Sequence, residues 1–271
     1  MEETAAGSIS FSQKSSAYQR SWLLSYSIFA ALVVASAVAI YYVGLLDPAR
    51  WRRAAPALED VVTRMYPPDF SDRRLWIKPL YQTLAMSMAG TALAVAASIP
   101  LGILAARNAT PFAFLYHPTR ILLNFMRGVP DLIAAIMFVA AFGMGPLPGT
   151  LALAFHSTGV LGKFFAEIIE HTDAATIEAV RASGAGRLQV LWHGYLTLAF
   201  PQLADASVYR WECNFRNSAI LGMVGAGGIG FQIYAAFTVL AYREVLALLI
   251  LVLFLVTVVD LLGASLRQRI K

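Results

Sequence analysis

The chain has 271 residues, 58% of them hydrophobic and only 14% charged, with a formal net charge of +5. Soluble domains carry about 25% charged residues, so this composition, with a mean hydropathy of +0.63, excludes an ordinary water-soluble globule. A modest basic excess in such a chain reflects membrane topology rather than nucleic-acid binding, and the single cysteine, Cys213, excludes an internal disulfide and a cysteine-based metal site.

Residues 1–20 are polar and Ser-rich and read as a disordered cytoplasmic tail, without the short apolar core and cleavage site of a signal peptide. Trp22 to Leu46 holds no charge, and roughly 20 apolar residues suffice to cross a bilayer. In the connector that follows, Trp51, Ala55, Leu58, Val62 and Met65 recur at helical spacing with Arg52, Arg53, Glu59 and Arg64 elsewhere on the wheel. That pattern predicts an amphipathic helix on the membrane surface, ended by Pro67 and Pro68; a solvated loop is the alternative. We divide the chain into the tail (1–20), a first span with its connector (21–79) and a core (80–271).

Within the core, Leu80 to Ala106 is a charge-free second span containing Pro100 and Gly102. Arg107 to His117 reads as a connector. A third span runs from about Thr119 to Phe142, interrupted near one end by Arg127, Gly128, Pro130 and Asp131. Gly143–Gly149 reads as a tight turn. A fourth span covers Thr150 to about Ile169, where Lys163 and Glu167 stand four apart and predict an ion pair on one face. The fifth, about Leu196 to Leu221, holds Arg210, Glu212, Asn214 and Arg216. The sixth runs from about Glu244 to Leu266 and ends in the basic tail Arg267, Arg269 and Lys271. The expected fold class is therefore all-α: a polytopic membrane protein of about six helices, with both termini on one side. The basic residues divide almost evenly between the two sides, because Arg50, Arg52, Arg53, Arg64, Arg73, Arg74 and Lys78 crowd the first connector.

The long polar break at 173–202 separates the fourth and fifth spans. It predicts a helix–turn–helix, with Glu178 near a helix start and Gly184 at the turn; an ordinary loop is the alternative. In the fifth span three charges at mid-bilayer would cost roughly 7–10 kcal/mol unpaired. Glu212 and Arg216, four apart, are expected to pair, while Arg210 and Asn214 share a neighbouring face. Such arginines either fix helix packing or lower the barrier for an anion through their forked donors. His156 reads as a packing histidine. Gly225, Gly227, Gly228 and Gly230 match G-x-G-x-x-G, but no strand precedes them, so a loop entering the membrane is expected rather than a dinucleotide site.

The motifs PPDFS (67–71), LALAFHSTGVLGKFFAEIIE (151–170), EAVRASGAGRLQV (178–190), YRWECNFRNSAILGMVGAGGIG (209–230) and the Asp260–Arg269 ending resemble the permease subunits of phosphonate importers of the ATP-binding-cassette (ABC) class. The segment 173–202 resembles their EAA loop. Val180 replaces the second alanine of that motif, and Thr197 stands where the family has a proline, which implies a straighter following helix.

The resemblance implies a methionine-permease-like fold. It assigns Glu178, Ala179, Arg181, Gly184, Ala185 and Arg187 to coupling with a partner ATPase. Arg127, Glu167, Arg210, Glu212, Asn214 and Arg216 become candidates for the translocation path, and Gly225, Gly227, Gly228 and Gly230 for an outer gate loop. The implied partners are ATPase subunits carrying ATP and Mg, a periplasmic or lipid-anchored binding protein, a second permease copy or paralogue, and membrane lipid. No Walker motif occurs, so the chain is expected to be a non-catalytic subunit without a cofactor of its own, in the bacterial inner membrane. Phosphite and phosphate esters are alternative substrates. A membrane-embedded enzyme or a passive anion channel are the rival classes, separated from an importer by dependence on ATP.

Overall fold

A computed structural model describes Trp22 and residues 25–270; the tail at 1–20 and Lys271 lie outside the described residues. All regular elements among the described residues are helical. The chain divides into two compact units, with the break between Val62 and Thr63.

In the first unit α1 (Ser25–Val43) is apolar along its length. Gly44 turns the chain at φ +75°, and α2 (Pro48–Met65) begins with proline in its first turn, where the missing N–H costs nothing. Asp47 accepts the Ala49 N–H at 2.9 Å, and Trp51 Nε1 donates back to the Leu45 carbonyl at 2.8 Å. The predicted connector helix is thus present, with Trp51, Leu58 and Val62 on one stripe.

The second unit is built around α3 (Arg73–Ala105) and α6 (Pro146–Glu170). In lipid, tail solvent is as apolar as leucine, so close helix packing depends on small residues. A Cβ on Gly90 would lie 2.9 Å from Leu153 Cβ, and one on Gly102 would lie 2.7 Å from Phe165 Cβ; two glycines of α3 therefore set how closely it approaches α6.

The third span departs from expectation. α4 (Ala113–Gly128) starts well before Thr119, shortening the connector, and meets α5 (Asp131–Phe142) at 86°. Pro130 supplies no N–H to continue α4, and the freed Val129 carbonyl accepts from His156 Nδ1 at 3.0 Å. The turn of Gly143–Gly149 is also shorter, since α6 begins at Pro146.

The polar break forms α7 (Ala174–Ala182), a turn, and α8 (Arg187–Gln189). α8 passes through a π-wound segment (Val190–Leu196) into α9 (Thr197–Leu221). At Thr197, where a straighter helix is expected, Arg187–Ala226 forms one helical run, and the Thr197 Oγ1 donates to the Trp192 carbonyl five residues back at 2.8 Å, so a hydroxyl occupies the π-wound turn. A second π segment (Gly222–Ala226) leads into α10 (Ile229–Thr238), bent by 56° from the preceding run, and α11 (Tyr242–Ile270) closes the unit. Four described helices are long and apolar enough to cross a membrane, and the two bent pairs bring this to six if each pair is one span.

Candidate functional site: a polar chain inside the helices and the loop packed against it

The loop starts at Asp173, whose carboxylate accepts the N–H groups of Ala175 and Thr176 at 3.2 Å each and the Thr176 hydroxyl at 2.6 Å. Those hydrogen bonds stabilise the ionised form and hold its pKa below the usual aspartate value. Asp173, not Glu178, therefore caps α7; Glu178 sits mid-helix and exposed, with Ala179 and Arg181. Gly184 turns the chain at φ +83°, a conformation that costs other L-residues roughly 1–2 kcal/mol. The Gln189 side chain accepts the Gly186 N–H at 2.8 Å and starts the next helix.

One fully buried side chain fastens α7, with the half-buried Val180 packed against the same cluster. Ile177 is its single buried residue, and it enters the notch left by Gly194, where a Cβ would lie 2.9 Å from Ile177 Cδ1. It joins Val190, Tyr195, Ala199 and Leu203 in one apolar cluster, so α7 is locked to the beginning of the α8–α9 run.

That run carries the polar core. Arg210 Nε donates to Ser157 Oγ at 2.8 Å. Ser157 donates to Asn214 Oδ1 at 2.9 Å. Asn214 Nδ2 donates to Thr91 Oγ1 at 2.9 Å, and Thr91 donates to the Ser87 carbonyl at 2.7 Å. The hydrogen bonds run in one direction, from the guanidinium through α6 and α9 to the backbone of α3, an arrangement in which each bond polarises the next. Asn214, Ser157 and Ser87 are wholly buried. Asn217, one turn further along this stripe of α9, donates to Asp131 at the α4–α5 break. Arg210 Nη2 is enclosed and has no hydrogen-bond partner among the described residues.

The six path candidates therefore separate. Arg210 and Asn214 belong to one network. Glu212 leaves it: it is 4% exposed and pairs with Arg267 of α11 at 2.8 Å. The expected Glu212–Arg216 pair is absent because the two side chains diverge: Glu212 turns inward, where Gly263 makes the room, since a Cβ there would overlap its carboxylate. Arg216 stays exposed beside Cys213 Sγ at 3.9 Å. Arg127 and Glu167 make no side-chain hydrogen bond or ion pair among the described residues. Lys163 does not pair with Glu167 either; it reaches Asn124 Oδ1 at 3.5 Å.

The glycine loop is tied down. Gly225, Gly227 and Gly228 have φ of +95°, +76° and +74°. The Gly228 N–H donates to Gln82 Oε1 at 3.2 Å and the Ile229 N–H to Thr83 Oγ1 at 2.9 Å, while Gly230 packs against the Ala219 carbonyl. The Gly228 and Ile229 amides are thereby taken up by α3.

Sequence reasoning missed a cluster at the far end of α6. Glu170 accepts Arg120 Nη2 with both oxygens at 2.9 Å and the Arg107 N–H at 2.8 Å. Arg107 Nε donates to Tyr116 Oη at 2.7 Å, and Arg120 lies 4.7 Å from the Tyr116 ring centroid. This ties the end of α6, immediately before the loop, to the α3–α4 corner. Only the aromatic residue between two arginines hinted at it. No group of side chains able to hold a metal occurs among the described residues.

A bundle of apolar helices with broken spans, a buried polar chain and a clamped helix–turn–helix defines a transporter membrane subunit. Its fold is that of a permease in the inward-facing MetNI methionine ABC transporter, with a TM-score of 0.65 and 22% identity over 75% of this chain and 99% of that one. Residues 98–271 match the family described as binding-protein-dependent transport system inner membrane component, and the chain belongs to that family. It is 50% identical to the phosphite transport system permease protein PtxC of Stutzerimonas stutzeri, over 86% of this chain and 85% of that one. It is also 42% identical to the phosphate-import permease protein PhnE of Mycolicibacterium smegmatis, over 77% of this chain and 39% of that protein. The chain is accordingly a non-catalytic ABC importer subunit in a membrane, whose family works with a substrate-binding protein and an ATPase.

Proposed function

We propose that this permease passes small phosphorus oxyanions, phosphite and phosphonates foremost, across the bacterial inner membrane. The 50% identity to a phosphite permease over most of both chains carries the reading. The enclosed, unpartnered Nη2 of Arg210 supports it, because a forked guanidinium suits a tetrahedral oxyanion. Two copies, or this chain and a paralogue, surround one path. The termini and the α7 loop face the cytoplasm.

In this reading the ATPase grips the exposed Glu178–Ala179 face of α7 and the Gly184 turn. Movement passes through Ile177 and the Gly194 notch into α9, and α9 carries Arg210 relative to Ser157 and Thr91. Arg210 supplies a single weak anion contact, since a path must also release what it binds. Arg127 and Arg216 line approaches to it. The glycine loop of Gly225, Gly227, Gly228 and Gly230 faces the binding protein as a buttressed outer rim. Phosphite uptake by proteoliposomes holding the assembled complex tests this. Competition by phosphonates is expected; uptake indifferent to every phosphorus oxyanion contradicts the assignment.

A further inference from the structure

Arg181 and Arg187 flank the turn of the α7–α8 loop, and neither guanidinium has an ion pair or hydrogen bond among the described residues. Both side chains line a cavity of about 860 Å³ between the end of α3 and the loop. Its walls are mostly apolar, with Ile103, Leu104, Leu188 and Leu191 among the lining residues, and Asn108 and Thr110 add polar groups. Around the cavity's rim, the lining residue Leu188 and Trp192 one turn on are exposed, and Phe112 and Phe114 are exposed beside Pro111. Exposed aromatic rings at the end of apolar helices mark the depth of the headgroups.

We propose that this cavity is a binding site for one anionic phospholipid. The acyl chains lie along Ile103, Leu104 and Leu191, and the phosphodiester sits between Arg181 and Arg187. Charge complementarity selects the occupant: an acidic protein segment would satisfy the arginines but leave the apolar walls uncovered, and a neutral lipid would do the reverse. Basic pockets between membrane helices on the cytoplasmic side hold anionic headgroups by this combination. The lipid would bridge α3 to the loop and so bias the loop's position. The site is independent of which oxyanion is transported.

Native mass spectrometry of the intact complex, with phosphatidylglycerol or phosphatidylcholine of the same acyl chains added, tests the proposal. Retention of phosphatidylglycerol in preference to phosphatidylcholine is expected, by roughly 30-fold from two arginines. The R181Q/R187Q double variant loses the preference, R181K/R187K retains it, and L104W, which fills the cavity, releases both lipids. Equal retention of the two lipids by the wild-type complex, or undiminished preference in R181Q/R187Q, overturns it. So does displacement of the bound species by millimolar inorganic phosphate, which would show a site for the free anion. Loss of the ATPase from R181Q/R187Q with lipid retention unchanged would assign the arginines to the ATPase instead.

Discussion

Ile177→Ala is the most informative substitution, because α7 has one buried anchor and this is it. The side chain is 3% exposed. Truncation removes three carbons, at about 0.8 kcal/mol each on transfer, and core Ile→Ala changes span about 2–5 kcal/mol once the cavity is included. The loop can partly collapse onto Gly194, so the lower half of that range is expected. A loss of about 2–3 kcal/mol in docking shifts the docked population by roughly 30- to 150-fold. The rest of the bundle does not depend on the contact. We therefore expect I177A to assemble and to bind its ATPase, with faster amide exchange across α7 and little stimulation of ATP hydrolysis by the substrate-loaded binding protein. Gly194→Ala moves only the Ile177 methyl end, 2.9 Å away, and should reproduce the effect weakly. Normal stimulation in I177A with rapid α7 exchange would refute the rigid-clamp reasoning.

Arg267→Ala strands the enclosed Glu212 carboxylate and should destabilise the complex by about 3–5 kcal/mol in thermal or denaturant unfolding, whereas E212L/R267M should be nearly neutral. Glu212→Gln should be milder than Arg267→Ala, because Arg267 is 26% exposed at its side chain and can reach the interface. Arg210→Lys keeps the charge but loses the planar fork; uptake should fall roughly ten- to hundredfold, as expected from one lost charge-assisted contact, without release of the ATPase. The Asp173 cap lowers the pKa of its own carboxylate: its stabilisation is present above the unfolded value and disappears as pH falls through the lowered folded value. Protection of the Ala175 and Thr176 amides, measured against their intrinsic exchange rates, should persist at neutral pH and fall only at pH values below the ordinary aspartate range, while in D173A it is low throughout.

The apolar segments were legible because a bilayer demands long charge-free runs, and the loop because its polarity breaks that pattern. Gly184 was legible because the turn needs its φ. The partner of Glu212 was not. Helical spacing offered Arg216 four residues away, but side-chain direction turns Glu212 toward α11, and the space that permits it depends on Gly263. The 86° break at Pro130 was readable as a break but not as an angle, which His156 and packing set. The π-wound turn at Val190–Leu196 was not legible, because no residue spacing announces a widened turn in which the Thr197 hydroxyl bonds five residues back. The Glu170 cluster joins residues far apart in sequence, and no local spacing announces it.

The central claim is that motion of the α7 loop is coupled through α9 to passage of a phosphorus oxyanion. It is tested most directly by measuring phosphite uptake and ATP hydrolysis together in proteoliposomes containing the whole complex. Uptake should require both the binding protein and ATP, with E178A losing uptake and substrate-stimulated hydrolysis in parallel. Phosphite entry that continues without the ATPase would contradict it.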